Sequence, residues 1–447
     1  KLSLQRYYFS IESLTFEKHL QLVNMEQLLH YAWKHKILPL HPLQTTTGQQ
    51  VEVIDPGLQN ANAGPDFFNA KLKVDGILWA GNIEIHRCSS DWYRHHHDTN
   101  PAYDSVILHL ATEIDTDIRR TNGELIPQMQ FNCPDSLIQN YQQLLSTDRY
   151  PACFETISRL PKLQLHSWLN TLQIERFEQK TNQVFTHLAQ SGQHWEDAFF
   201  ITLARNFGFG VNGDAFERWA RSLPLRAIDK HRDSLLQIEA FFFGQAGLLD
   251  IDATDEYTRQ LQQEYRYLQH KFQLPQAPAV NWNYLRMRPN NFPHIRIAQL
   301  ACLYHRSQGL FSQIMETDSL KQLCNLLKGG TSDYWRTHYH FGITSESRPK
   351  TLTSKSINLL IINTVVSYLY AYGKHKKNDG LCLRAGKFLE ELPAEDNYII
   401  RMWKNCGITP QHAADSQALI QLKKNYCDVK KCLYCRIGFC FLKSSPK

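Results

Sequence analysis

The chain has 447 residues, 43% of them hydrophobic and 21% charged, with a formal net charge of +6. That length excludes a single ordinary core and predicts two or three globular domains. No apolar run reaches the ~20 residues that a bilayer-spanning helix needs, and the mild positive charge permits a polyanionic partner without demanding one.

Residues 1–24 read as an N-terminal extension ahead of Met25. Glu26 to Leu38 has helical periodicity, with Leu29 and Trp33 on one face, and Pro39 and Pro42 end it. Val51 to Ile54 reads as a strand, turned by Asp55-Pro56-Gly57. Phe68 to Val74 alternates, with Phe68, Ala70, Leu72 and Val74 on one face, and Asp75-Gly76 is a hairpin signal. Ile77 to His86 returns, Ser90 to Tyr103 is irregular or a short helix, Val106 to Leu110 is a buried strand, and Leu125 to Phe131 adds an edge strand. Residues 25–150 are therefore expected to form an α/β domain.

Pro151 and Pro161 bracket a linker. From there the periodicity is helical, so 151–425 is expected to be an all-helical domain and 426–447 a cysteine-rich basic tail. The apolar stretch from Ile357 to Tyr372 contains Asn363, Thr364 and Ser367 and reads as a buried helix. Gly208, Gly210 and Gly213 form a literal GxGxxG, but it follows a helical segment and lacks the strand that gives this motif meaning. Eleven cysteines, mostly scattered singly, and no visible signal peptide point to a reducing cytoplasm.

The chemistry gathers between residues 62 and 109. Strand periodicity places Glu84 and His86 on one face, and Asp66, at the start of the paired strand, lies beside them across the hairpin. Two carboxylates suit Mg²⁺ or Mn²⁺, and Glu26 on the first helix offers a third. The run Asp91 to Asp98 contains His95, His96 and His97, and His109 follows on the next strand. Trp92, His95, Asp98 and His109 are candidates for a substrate-facing rim that stacks a base or touches phosphate. The alternatives are a transition-metal site or a solvated polar loop.

Gly64-Pro65-Asp66 and Glu84-Ile85-His86, preceded by a helix carrying an acid, resemble the PD-(D/E)XK nuclease superfamily. More closely, NANAGPDFFNAKL, WAGNIEIHRCSSDW, HHHD and YDSVILH, with RPNNFPHIRIAQLA (288–301) and ADSQALIQLKKNYCDVKKCLYC (414–435), resemble a bacterial domain of unknown function assigned to that superfamily. The resemblance implies a restriction-endonuclease-like α-β-β-β-α-β core. It implies Asp66 and Glu84 as ligands of Mg²⁺ or Mn²⁺, with Glu26 assisting. The superfamily's lysine falls at His86, which acts as base or ligand when neutral and steadies phosphate when protonated. Lys71 is a conceivable relocated lysine.

Cys427, Cys432, Cys435 and Cys440 are spaced C-x4-C-x2-C-x4-C, and the central CxxC suits Zn²⁺, with Cys406 or His412 able to replace Cys440; the resemblance to the nuclease superfamily implies an iron–sulfur cluster as the other occupant. Arg286, Arg288 and Arg296 are suited to phosphate or to ion pairs. The expected activity is metal-dependent phosphodiester hydrolysis of nucleic acid, DNA foremost, with Asp66, Glu84, His86 and Glu26 as catalytic residues. The alternative is a non-catalytic nucleic-acid-binding or scaffold protein that keeps the fold. A third class is a hydrolase of a small phosphorylated molecule.

Overall fold

The computed structural model describes residues 25–38, 42–253 and 255–443; the predicted 1–24 extension lies outside them. A mixed β-sheet region comes first, a mostly helical region follows, and a group of cysteines lies near the C-terminus. The described chain divides into two compact units: 25–161 with 425–443, and 162–424. The cysteine tail, read from the sequence as a separate segment, is thus part of the first unit.

In that unit, helix α1 runs through 25–34 and buries Leu28, Leu29, Ala32 and Trp33. It stops short of Leu38 because the chain turns at Lys36, whose φ is +49°. Six strands follow among the described residues: β1 (Val51–Asp55), β2 (Leu58–Gln59), β3 (Phe67–Val74), β4 (Ile77–Cys88), β5 (Val106–Glu113) and β6 (Gln128–Gln130). They form one sheet in the order β1-β3-β4-β5-β6, with β2 also paired to β3.

Asp75 and Gly76 join β3 to β4 as expected. Both have positive φ (+49° and +82°), as a two-residue type I′ turn requires, and Val74 pairs with Ile77. The alternation predicted for β3 breaks at its start. Asn69 sits at φ +56° and the register shifts between Phe67 and Ala70. This bulge puts Phe67, rather than Phe68, on the fully buried face with Ala70 and Leu72.

β4 pairs antiparallel with β3 but parallel with β5, and β5 pairs parallel with β6. A parallel pair cannot be closed by a tight turn, so the chain must cross back along β4 before β5 begins. That crossover contains α2 (Asp91–Arg94) and two short 3₁₀ turns, His97–Thr99 and Pro101–Tyr103.

Beyond β6, α3 (Asp135–Ser146) lies in a part of the predicted α/β domain to which the sequence reading assigns no element, and α4 (Phe154–Ile157) lies in the stretch read as a linker. The signal for α3 is present: Leu137, Tyr141 and Leu144 are spaced for one helical face and are buried.

The second unit is built on long helices, Lys162–Gln190 the longest, around one apolar core that includes Phe199, Trp219, Phe242, Trp335 and Tyr368. Its one departure from the all-helical expectation, among the described residues, is a small hairpin of β7 (His338–His340) and β8 (Ile343–Thr344). The segment around Ile357 to Tyr372 is largely buried helix, with a π-turn at Ile361–Val365. The GxGxxG glycines lie between helices Trp195–Phe207 and Gly213–Ser222, as the missing strand indicated. Among the described residues no helix is long and apolar enough to cross a membrane.

Glu239 is the notable charge in this core. It is 1% exposed and accepts hydrogen bonds from Tyr257 Oη and Ser332 Oγ, both at 2.8 Å. Burial raises its carboxyl to about 7, against the two hydrogen bonds, which lower it. Below the ordinary glutamate range both folded and unfolded chains hold the proton. Between about 4.5 and 7 only the unfolded chain loses it, so stability falls as pH rises through this window. A shift of that size corresponds to a ceiling of about 3 kcal/mol. Glu239→Gln is expected to flatten this part of the stability–pH curve, measured by urea unfolding at pH 5 and pH 8; an unchanged slope would refute the assignment.

Candidate functional site

Four side chains meet on the face of the sheet that the crossover covers. Glu84 and His86, two residues apart on β4, are 4% and 2% exposed. His95, at the end of α2, and His97, opening the next 3₁₀ turn, descend from the crossover. His96 between them adopts φ +59°, a left-handed conformation, and is exposed. That kink allows His95 and His97 to turn inward while His96 does not. Ligand nitrogens of His86, His95 and His97 all lie within 4.8 Å of one another.

Close contacts link the four side chains. Glu84 Oε1 is 3.4 Å from His86 Nε2 and 3.3 Å from His97 Nε2, and His86 Nε2 is 3.3 Å from His95 Nδ1. Ligands at 2.0–2.1 Å around a tetrahedral ion stand about 3.4 Å apart. The three imidazoles could hold a first-row transition ion such as Zn²⁺ or Mn²⁺, with the Glu84 carboxyl beside two of them. They fit Mg²⁺, which prefers oxygen, less well.

A buried relay fixes the tautomer of His86. Gln128 Nε2 donates to the Thr116 carbonyl (2.9 Å), so its Oε1 faces His109 Nδ1 (3.3 Å) as acceptor. His109 Nδ1 must then carry the proton, and His109 Nε2 accepts from His86 Nδ1 (2.9 Å). His86 Nε2 is left with a lone pair aimed at Glu84 and His95. Burial pulls His109 down to about 4 against its hydrogen bond to Gln128 and the Asp66 charge, and burial with the neighbouring histidines pulls His86 well below its ordinary value, which favours the neutral rings. Metal-binding histidines commonly have such outer partners. The register supplies this one, because Glu84, His109 and Gln128 are cross-strand neighbours on β4, β5 and β6.

Aromatic packing holds His97. Its ring stacks on His86 (5.3 Å, 14°) on one side and on Tyr103 (3.7 Å, 21°) on the other. Burial lowers His97 and His95 as well, which keeps their nitrogens available.

Asp66 completes the rim. Its Oδ2 accepts from Ile85 N (2.9 Å) and lies 3.3 Å from His30 Nε2, while its own N–H donates to Glu84 Oε2 (3.0 Å). Each acid thus receives a backbone N–H from the other's strand. Burial, then the Asp66 charge, lifts the Glu84 carboxyl well above the ordinary range. Burial alone would lower His30; its hydrogen bond and charge interaction with Asp66 outweigh this and raise it. Glu26, one helical turn before His30, is raised by burial and feels the charges of His30, Asp66 and His95. The structure brings all four predicted catalytic residues, Glu26, Asp66, Glu84 and His86, into one neighbourhood.

The predicted substrate rim fares differently. Trp92 is wholly buried and donates from Nε1 to Arg119 O (3.0 Å), with its ring against His97, Tyr103 and His109. It is the floor of the site and cannot stack a base. His109 is also wholly buried and orients His86 instead of meeting substrate. His95 is exposed, and Asp98, half-buried, acts on His97 through its charge. Lys71 is exposed on β3.

His30, Tyr103 and Gln128 escaped the sequence reading. Only His30 had a legible signal, its i,i+4 spacing from Glu26. In the other unit Arg286 and Arg288 line an open pocket of about 360 Å³ with Phe209. Arg296 is internal, bonded to Asn291 and Gln299, and is no phosphate contact.

Mn²⁺ binding, followed by loss of the aqueous ion's EPR signal, tests the shell. His97→Ala and Glu84→Gln are expected to weaken it by about 100-fold or more, and Gln128→Leu by about 10–100-fold through the relay. His96→Ala should leave it nearly unchanged; equal losses at His96 and His97 would refute the geometry.

No curated protein and no solved structure matches this chain. A family profile described as protein of unknown function (DUF2851) matches residues 26–398. The match spans both the sheet and most of the helical unit and ends before the last four cysteines. The chain belongs to the DUF2851 family.

Proposed function

We propose that this DUF2851 protein is a metal-dependent phosphodiesterase acting on nucleic acid, DNA foremost. The observation that carries the reading is the convergence of His86, His95 and His97, with Glu84 in contact with two of them, beside Asp66, His30 and Glu26. The order of parts supports a PD-(D/E)XK-like site: an acid on α1, an aspartate at the start of β3, and Glu-x-His on β4 within a mixed sheet. The net charge of +6 suits a polyanion.

A bound transition ion would polarise the phosphodiester and acidify a water. The chain's own groups do the rest. His95, which is exposed, meets the substrate side. Asp66, held by His30 and the Ile85 N–H, and Glu26 beside it are placed to accept the proton of the attacking water. The buried relay through His109 keeps His86 neutral and ligating, which replaces the cationic role that a lysine would have at that position. The donor set favours Mn²⁺ or Zn²⁺ over Mg²⁺ in this reading.

A second reading has one observation in its favour: Glu84 and His86 are almost fully enclosed. A chain that keeps the fold and binds nucleic acid without cutting it would tolerate that enclosure.

The purified full chain, incubated with single- and double-stranded DNA and RNA and each of Mn²⁺, Zn²⁺ and Mg²⁺, separates the two. Cleavage is expected with Mn²⁺ or Zn²⁺ and is expected to fall by at least about 100-fold in Asp66→Asn and in Glu84→Gln. Cleavage that survives both substitutions would refute the site. Binding without cleavage in every metal would support the second reading, and turnover of small phosphodiesters alone would redirect the substrate class.

A further inference from the structure

The second unit holds a pocket that the histidine site does not use. Its volume is about 360 Å³, and Phe209, Val211, Arg286, Met287, Arg288 and Asn291 line it. A space of that size suits one small organic ligand. Two segments build it. One is the glycine-rich turn between helices Trp195–Phe207 and Gly213–Ser222; the other leads into the helix Pro293–Arg306.

Both walls are fixed by their own contacts. A Cβ on Gly208 would stand 2.5 Å from Gly213 N, so only glycine lets the turn fold this tightly. Asn212, 2% exposed, donates from Nδ2 to Asn283 O (2.9 Å) and accepts at Oδ1 from Asn283 N (2.8 Å), which latches one wall to the other. Each wall carries a non-glycine residue in the left-handed region, Phe209 at φ +43° and Arg286 at φ +58°. Such conformations cost free energy and persist only where the surrounding structure imposes them.

The polar side chains of the wall offer donors. Arg286 and Arg288 are exposed, and among the described residues neither makes an ion pair. No carboxylate lines the pocket. Asn291 Oδ1 accepts from Arg296 Nη2 (2.6 Å), which leaves the Asn291 amide N–H groups as its remaining contribution. Behind the wall, Arg296 is 6% exposed, and its guanidinium lies 4.3 Å from the centre of the Phe209 ring. Its other partner is Gln299 Oε1 (2.8 Å), and its buried Nε has none. This buried cation therefore has only neutral amides for company, which is costly without a counter-charge. Burial pulls it down to about 10, so it stays charged at neutral pH.

Three arginines without a carboxylate select an oxyanion, and the planar fork of a guanidinium matches phosphate. The Phe209 ring, with Val211 and Met287, adds apolar surface to the same pocket, which favours a phosphate that carries an aromatic group. We propose that this pocket binds a nucleotide, with its phosphate on Arg286 and Arg288 and its base against Phe209. Free nucleotide and one unit of a single strand offer the same chemistry. The pocket shares no residue with the histidine shell and needs no metal.

The test titrates the full chain in EDTA with deoxyadenosine monophosphate, deoxyadenosine, inorganic phosphate and a short fluorescent single-stranded oligodeoxyadenylate. The monophosphate is expected to bind at least about tenfold more tightly than deoxyadenosine or inorganic phosphate. Replacing both arginines, Arg286→Ala with Arg288→Ala, is expected to weaken nucleotide and oligonucleotide by about 100-fold, and Phe209→Leu by about fivefold. Both arginines are exposed, and far-UV circular dichroism reports whether each variant folds. An oligonucleotide bound at least about tenfold more tightly than the nucleotide, and lost in the double variant, supports the site with a strand as its source. Similar affinities, both lost in the double variant, support it with the free nucleotide. Unchanged binding in the double variant would overturn the pocket, as would binding of neither ligand by the unaltered chain. Inorganic phosphate or deoxyadenosine bound as tightly as the monophosphate would overturn the nucleotide. Each result is independent of whether the protein cuts nucleic acid.

Discussion

The parallel pairing of β4 with β5 is the constraint on which the site depends. Asn82 lies opposite Val106 and Cys88 opposite Glu113, so the chain leaves one end of β4 and must return to the other before β5 starts. The returning segment passes over the face that carries Glu84 and His86. His95 and His97 are brought to the site by that passage. An antiparallel hairpin between the same strands would have sent this segment away from the sheet.

The same register supplies the electrostatics. Glu84, His109 and Gln128 are neighbours across three strands. Gln128 spends its amide N–H on the Thr116 carbonyl and can only accept from His109. Two proton positions follow, and a lone pair is left on His86 Nε2. Burial makes charged alternatives expensive, which is why the rings stay neutral while the carboxyl among them keeps its proton. Such an arrangement sets Glu84 against His86 and His97, with His95 beside His86.

The tail follows a comparable logic at longer range. Residues 425–443 return to the first unit, where Phe439 packs on His35 (4.8 Å) and Asn140 Nδ2 donates to Leu442 O (3.1 Å). That return joins Cys153 to Cys427, Cys432 and Cys435. Two clusters of side chains therefore share one unit: histidines and carboxylates beneath the crossover, and thiols where the tail meets the segment before α4.

Local sequence alone determined the elements. The Asp75-Gly76 turn, the pairing of β3 with β4, the shared face of Glu84 and His86, the long helices and the buried Ile357–Tyr372 segment follow from periodicity and turn chemistry, which act over a few residues. The gathering of Asp66, Glu84, His86 and Glu26 was legible because three of them flank one hairpin. Tertiary structure decided the rest. Trp92 looked like a stacking surface and is a floor; His109 looked like a rim residue and is a relay. Periodicity gives the face of a strand but not what covers it. His30, Tyr103 and Gln128 lie at the histidine cluster, and Cys153 rather than Cys440 lines one cavity with Cys427, Cys432 and Cys435, because strand register and the path of the tail set those neighbours. Both are properties of long-range packing, and residue spacing along the chain does not encode them.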